Sequence, residues 1–151
     1  MTMKIPAPDL TQHPPRSPRV RLGGYAILPR ILDKGRAVLA KTNGAYNYAC
    51  PMDQQFLNYA GIDSKALQAE LAKGKGDGEI LAWITAKAKN KRTAAEIAAW
   101  SAYQDQRAPD NVEGRGFFND EHKRLAPDRE DIATWFDYLD LDDYVCFGGK
   151  A

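Results

Sequence analysis

The chain has 151 residues, 44% of them hydrophobic and 10% aromatic, with 21 lysines and arginines against 20 aspartates and glutamates. That composition fits one soluble domain able to bury its own core, and it excludes disordered, collagen-like and disulfide-dense classes. The net charge of +1 conceals a split, because residues 1–92 carry 15 bases and 7 acids whereas residues 93–151 carry 6 bases and 13 acids. Such opposed segments are expected to meet, either within one chain or head-to-tail in a homo-oligomer.

Residues 1–24 read as an extended arm, and residues 25–151 as a helical domain. Pro6, Pro8, Pro14, Pro15 and Pro18 fix the backbone, remove donors and bias their predecessors away from helix. The arm is either a loose tail or a strap anchored by Leu10, Val20 and Leu22. It has no apolar secretory region, and the longest uncharged run, Thr42–Met52, is 11 residues, against about 20 for a membrane helix. Two cysteines in a chain with an adequate core read as reduced thiols, so the expected location is the cytoplasm.

Leu28, Ile31, Leu32, Val38 and Leu39 form a helical stripe entered through Pro29 and stopped by Asn43-Gly44. Tyr46 and Tyr48 then alternate across one short extended rung. Pro51 opens a helix bearing Met52, Phe56, Leu57 and Tyr59, with Gly61 and Ile62 as its C-terminal signal. Asp63-Ser64 caps a helix with Leu67 and Leu71, stopped by Gly74, and Asp77 caps another with Ile80, Leu81, Trp83 and Ile84. Thr93–Glu96 and Asp128–Asp131 resemble capping boxes, each leading into Ile-Ala-x-Trp-x-x-Tyr. Their spacing is close to a tetratricopeptide period, yet one and a half copies cannot stack into a solenoid. Asp110–Leu125 supplies a further helix between Pro109 and Pro127. The fold class is therefore all-α, a compact bundle of about seven short helices.

The segments LPRILDKGRA (Leu28–Ala37), GAYNYACPMD (Gly44–Asp53), and NYAGID with GDGEILAWI between Asn58 and Ile84 resemble a bacterial family called domain of unknown function 5069. The resemblance implies a small, cytoplasmic, mainly helical bacterial protein and carries over no catalytic residue. Gly35 stands where a small side chain such as Ala is expected, and a glycine in mid-helix marks a close crossing.

The sharpest chemical constellation is Cys50-Pro51-Met52-Asp53. With Pro51 first in the helix, Cys50 is the N-cap, where free amides and the dipole favour thiolate. Tyr46 and Tyr48 would supply hydroxyls, while Asp33, Lys34 and Arg36 would face them from the preceding helix. In a small enzyme Cys50 and Asp53 would carry the reaction, Asp33 or a tyrosine would move protons, and Lys34 or Arg36 would orient an anionic substrate. A concave patch around Tyr46, Tyr48, Cys50 and Trp83 serves equally for a non-catalytic module binding a protein partner or a small anionic ligand, and this is the favoured reading.

Other motifs carry less. His13 and His122 belong to no nucleophile motif, and the histidines and cysteines lack metal-ligand spacing. No cofactor motif is present: the glycines at 74, 76 and 78 follow no strand and sit among Asp77 and Glu79. Lys87, Lys89, Lys91 and Arg92 complement a helix end. Arg16, Arg19 and Arg21 lack the interleaved aromatics of a single-strand binder, so nucleic acid is not the expected partner.

Overall fold

A computed structural model describes residues 6–151; the first five residues of the expected arm lie outside the described residues. Seven helices follow in order: α1 (Leu28–Ala40), α2 (Pro51–Ala60), α3 (Ser64–Leu71), α4 (Asp77–Lys87), α5 (Ala94–Gln106), α6 (Val112–Leu125) and α7 (Trp135–Cys146). Among the described residues the only β pairing is an isolated bridge between Leu22 and Tyr25. The fold is all-α, and no helix is long and apolar enough to cross a membrane.

Helix α1 lies at the centre. Every residue from Tyr25 to Ala37 is buried, including Arg30, Asp33, Lys34 and Arg36. The apolar stripe of Leu28, Ile31 and Leu32 packs against Phe56, Leu57, Leu67, Leu71, Ile80 and Ile84, while Leu39 is exposed. The helix also ends before Asn43-Gly44, at Lys41 in the left-handed region. At Gly35 an added Cβ would stand 2.6 Å from Leu71 Cδ1 and 3.3 Å from the Tyr48 ring, so the glycine permits the close crossing with α3.

The arm crosses the Asp33 side of α1 and is an ordered strap over the described residues. Leu10 is buried, and its N–H donates to Thr42 O at 2.8 Å while Thr42 Oγ1 donates to Pro8 O at 2.8 Å. Ile27 N–H donates to Pro18 O at 2.8 Å, Leu22 packs against the core, and Val20 is exposed rather than an anchor.

Arginines fasten the strap. Arg16 reaches both Asp33 (3.0 Å) and Asp77 (2.7 Å), Arg19 pairs with Asp137 and Asp140, and Arg21 makes a two-point pair with Asp105. The opposed charges of the two chain segments thus meet within one chain. These arginines are occupied by carboxylates rather than held free for phosphate.

Several boundaries depart from the sequence expectation for identifiable reasons. Asp63 and the Thr93–Glu96 box cap α3 and α5 as expected. Asp77 is not a cap: Gly76 takes that position, and the Asp77 carboxylate is claimed by Arg16 and by Arg36 at 2.8 Å. The box of α7 is Thr134 with Asp137, because Asp131 pairs with Arg129 beside it. Trp135 therefore opens α7 while Trp100 sits midway along α5, so the two tryptophans do not share a turn. Asn111, not Asp110, caps α6. Residues 45–49 form turns, with Ala49 at φ 60°, instead of an extended rung.

A second, smaller core joins α6 to α7 through Phe118, Leu125, Ile132 and Leu141. The space between the two cores holds the candidate site.

Candidate functional site

Three elements converge beside the amino end of α2. Arg30 and Lys34, one turn apart on α1, share a face; the 45–50 loop brings Tyr46 and Cys50; α7 presents Leu139, Asp142 and Asp143. Lys34 Nζ donates to Asp53 Oδ1 at 2.9 Å and approaches Cys50 Sγ at 3.4 Å. Asp53 is fully buried, and its other oxygen accepts the Ala49 N–H at 2.9 Å, which holds the left-handed Ala49 turn against α2.

A second buried pair runs alongside. Arg30 grips Asp143 at 2.7 and 3.2 Å, and Tyr46 Oη donates to Asp143 Oδ1 at 2.7 Å. Burial would lower the Arg30 pKa, but the Asp143 bonds outweigh it and the guanidinium is held more firmly charged. Burial, and then the bond to Asp143, pushes the Tyr46 phenol far above its ordinary range, so it is a fixed donor. Burial likewise raises the Asp142 carboxyl above the usual range.

Cys50 is the N-cap of α2 and Pro51 its first residue, as the sequence indicated, but no side chain caps the helix. The sulfur lies beside the Lys34 ammonium instead of accepting from the α2 amides. Tyr48 turns the other way and donates to Ser64 O at 2.7 Å. Asp33 and Arg36 also fall outside the cluster: three residues apart on α1, they face Arg16 and Asp77. Trp83 lines neither cavity described next. Of the expected set, the structure brings together Lys34, Tyr46, Cys50 and Asp53, and it sends Asp33, Arg36 and Tyr48 elsewhere.

The cluster lines a recess of about 160 Å³. It adjoins a larger cavity of about 620 Å³, the two sharing Asn47, Cys50, Met52 and Leu139. That size lies within the range of small-molecule sites. Phe117, Trp135 and Tyr138 form one wall, with ring centroids 5.9–6.5 Å apart. Tyr138 is fixed by donating to Glu121 at 3.1 Å.

Arg107 completes the lining, and nothing in its sequence setting singled it out. Its backbone is pinned between Gln104 O and the Trp135 N–H, the latter donating to Arg107 O at 2.9 Å. Its guanidinium pairs with no carboxylate among the described residues, and its one side-chain bond runs to the Met52 thioether at 3.4 Å, a weak acceptor. Arg107 Nε is the one buried side-chain nitrogen or oxygen among the described residues that has no hydrogen-bond partner.

No three His, Cys, Asp or Glu side chains among the described residues gather as a metal site would. Cys50 and Cys146 are free thiols. The fold and site thus define an all-α protein with a cavity between two helical cores, adjoined by a recess that a Lys–Cys–Asp cluster lines. The chain matches the family described as Domain of unknown function (DUF5069) over residues 12–145, and it belongs to that family. No curated protein matches it.

Proposed function

We propose that the protein is a bacterial, cytoplasmic binding module for a small anionic ligand, which enters the 620 Å³ cavity and pairs with Arg107. The observation that carries this reading is the Arg107 guanidinium, which lines the cavity and pairs with no carboxylate among the described residues. A bound carboxylate or phosphate would give it the short, charge-assisted bonds that the Met52 thioether does not. The uncapped amino end of α2 adds positive potential on the same side. Lys34 and Arg30 are already neutralised by Asp53 and Asp143, so they shape the recess rather than supply free charge. The concave lining suits a small molecule better than a protein surface.

Thermal-shift measurements with acetate, benzoate, sulfate and phosphate, each against a neutral isostere where one exists, test this reading. At least one anion should raise Tm in a saturable way, and Arg107→Gln should abolish the rise. A panel with no effect, or an effect that survives in Arg107→Gln, would overturn it.

The 3.4 Å approach of Lys34 Nζ to Cys50 Sγ favours a second reading, thiol-dependent catalysis in the same cavity. Iodoacetamide labelling separates the two: a catalytic Cys50 should alkylate faster than free cysteine near pH 6, and a structural one no faster.

A further inference from the structure

Resting on that reading, we infer that the ligand class is aromatic carboxylates, held with the carboxylate on Arg107 and the ring against Phe117 and Trp135. Three observations combine. The Arg107 guanidinium lines the cavity with no carboxylate partner, and its planar fork matches a carboxylate at two points. Phe117 is 52% exposed although it sits in a cluster of aromatic rings, so it presents uncovered ring surface at the cavity. Met52 and Leu139 extend the apolar lining of the cavity beside the rings, where the ring of a ligand rather than its charge is accommodated.

The acids near the cavity do not cancel this arrangement. Asp110 lies at its exposed rim and accepts from Asn111 Nδ2 at 3.0 Å, so water screens it. Asp142 borders the smaller recess and not the cavity that holds Arg107. A compact inorganic anion would satisfy Arg107 and leave the ring wall unused. A flat ring carrying a carboxylate uses both, and aromatic pairs favour the offset or edge-on contacts that this wall offers.

The test is isothermal titration of 2-naphthoate, acetate and phosphate into the full chain and into Phe117→Ala and Arg107→Gln. Phe117 is exposed enough for its truncation to leave folding intact. Naphthoate should bind about tenfold or more tighter than acetate, as ring burial requires. Phe117→Ala should weaken naphthoate far more than acetate and so erase most of that preference, and Arg107→Gln should weaken both. Naphthoate no tighter than acetate, or phosphate tightest of the three, with Arg107 still required, would overturn the aromatic inference and leave the anion site standing. Arg107-independent binding, or no anion binding at all, would overturn both.

Discussion

The Lys34 ammonium lies 2.9 Å from the Asp53 carboxylate, with side-chain exposures of 5% and 0%. The pair ties the central helix to the amino end of α2 and so fixes the position of Cys50 between them. Removing one partner of a buried pair strands the other charge, which costs about 3–5 kcal/mol. Lys34→Met and Asp53→Asn should each lose stability on that scale in urea unfolding. The double variant Lys34→Met/Asp53→Asn should lose less than the sum of the two, since neither charge is stranded.

Arg16 holds the strap. It bridges Asp33 and Asp77 with its guanidinium, and its backbone N–H also donates to Asp33 at 2.9 Å. Arg16→Ala should destabilise by about 1–3 kcal/mol, because Asp33 keeps only its backbone donor. It should also open the arm to trypsin at Arg19 and Arg21, visible as an early cleavage in native-state proteolysis. Unchanged protection would show that Leu10 and Pro18 hold the strap without it.

Acid should weaken the fold in a defined window. Burial opposes ionisation of Asp77, but its bonds to Arg16 and Arg36 outweigh that, so its folded pKa lies below the ordinary 3.8. Asp137 is likewise depressed, by backbone amides against the pull of burial, and Asp131 is held at about 2 by Arg129. Below 3.8 the unfolded chain takes up protons that the folded chain refuses, so stability is full above that value and falls as pH drops through the folded values. Urea midpoints should be flat from pH 6 to pH 5 as far as these groups are concerned, and fall steeply between about pH 4 and pH 2.

Asp142 works in the opposite sense. Burial raises its carboxyl, so the folded chain holds that proton more tightly than the unfolded chain does. The resulting stabilisation is present below the ordinary carboxylate value and disappears as pH rises through the folded one. At neutral pH the ionised Asp142 is a net cost. Asp142→Asn should therefore raise the urea midpoint at pH 7, and the gain should shrink toward pH 3.

The charge split makes a solution prediction. Arg19 with Asp137 and Asp140, and Arg21 with Asp105, are partly exposed pairs worth about 0–1 kcal/mol each, and salt screens them. Raising sodium chloride from 50 to 500 mM should lower Tm by a few degrees while sedimentation mass stays that of one chain, as pairing within the chain requires. A mass that falls with salt would point to pairing between chains.

Local chemistry was legible in the sequence, and long-range chemistry was not. Asp63, Gly61 and the Thr93–Glu96 box each act within a few residues, and each does what its spacing indicated. Asp77 was misread because its partner Arg16 lies 61 residues away, and a distant guanidinium outcompetes a cap. The all-round burial of α1 was hidden for the same reason: Arg30, Asp33, Lys34 and Arg36 are each paired with a residue 17 to 113 positions away. Cys50 at the start of α2 was visible from Pro51. Arg107 was not, since what marks it is the lack of a partner, and that appears only once the other charges have found theirs.

The proposed function requires the Arg107 guanidinium to pair with an anion. Its side-chain signal in a ¹H–¹⁵N correlation spectrum, assigned by its loss in Arg107→Gln, reports on that bond directly. Benzoate should shift this signal downfield in a saturable titration while the Arg30 and Arg16 signals stay in place. An Arg107 signal that does not move, or one that moves no more than those of the already paired arginines, would contradict it.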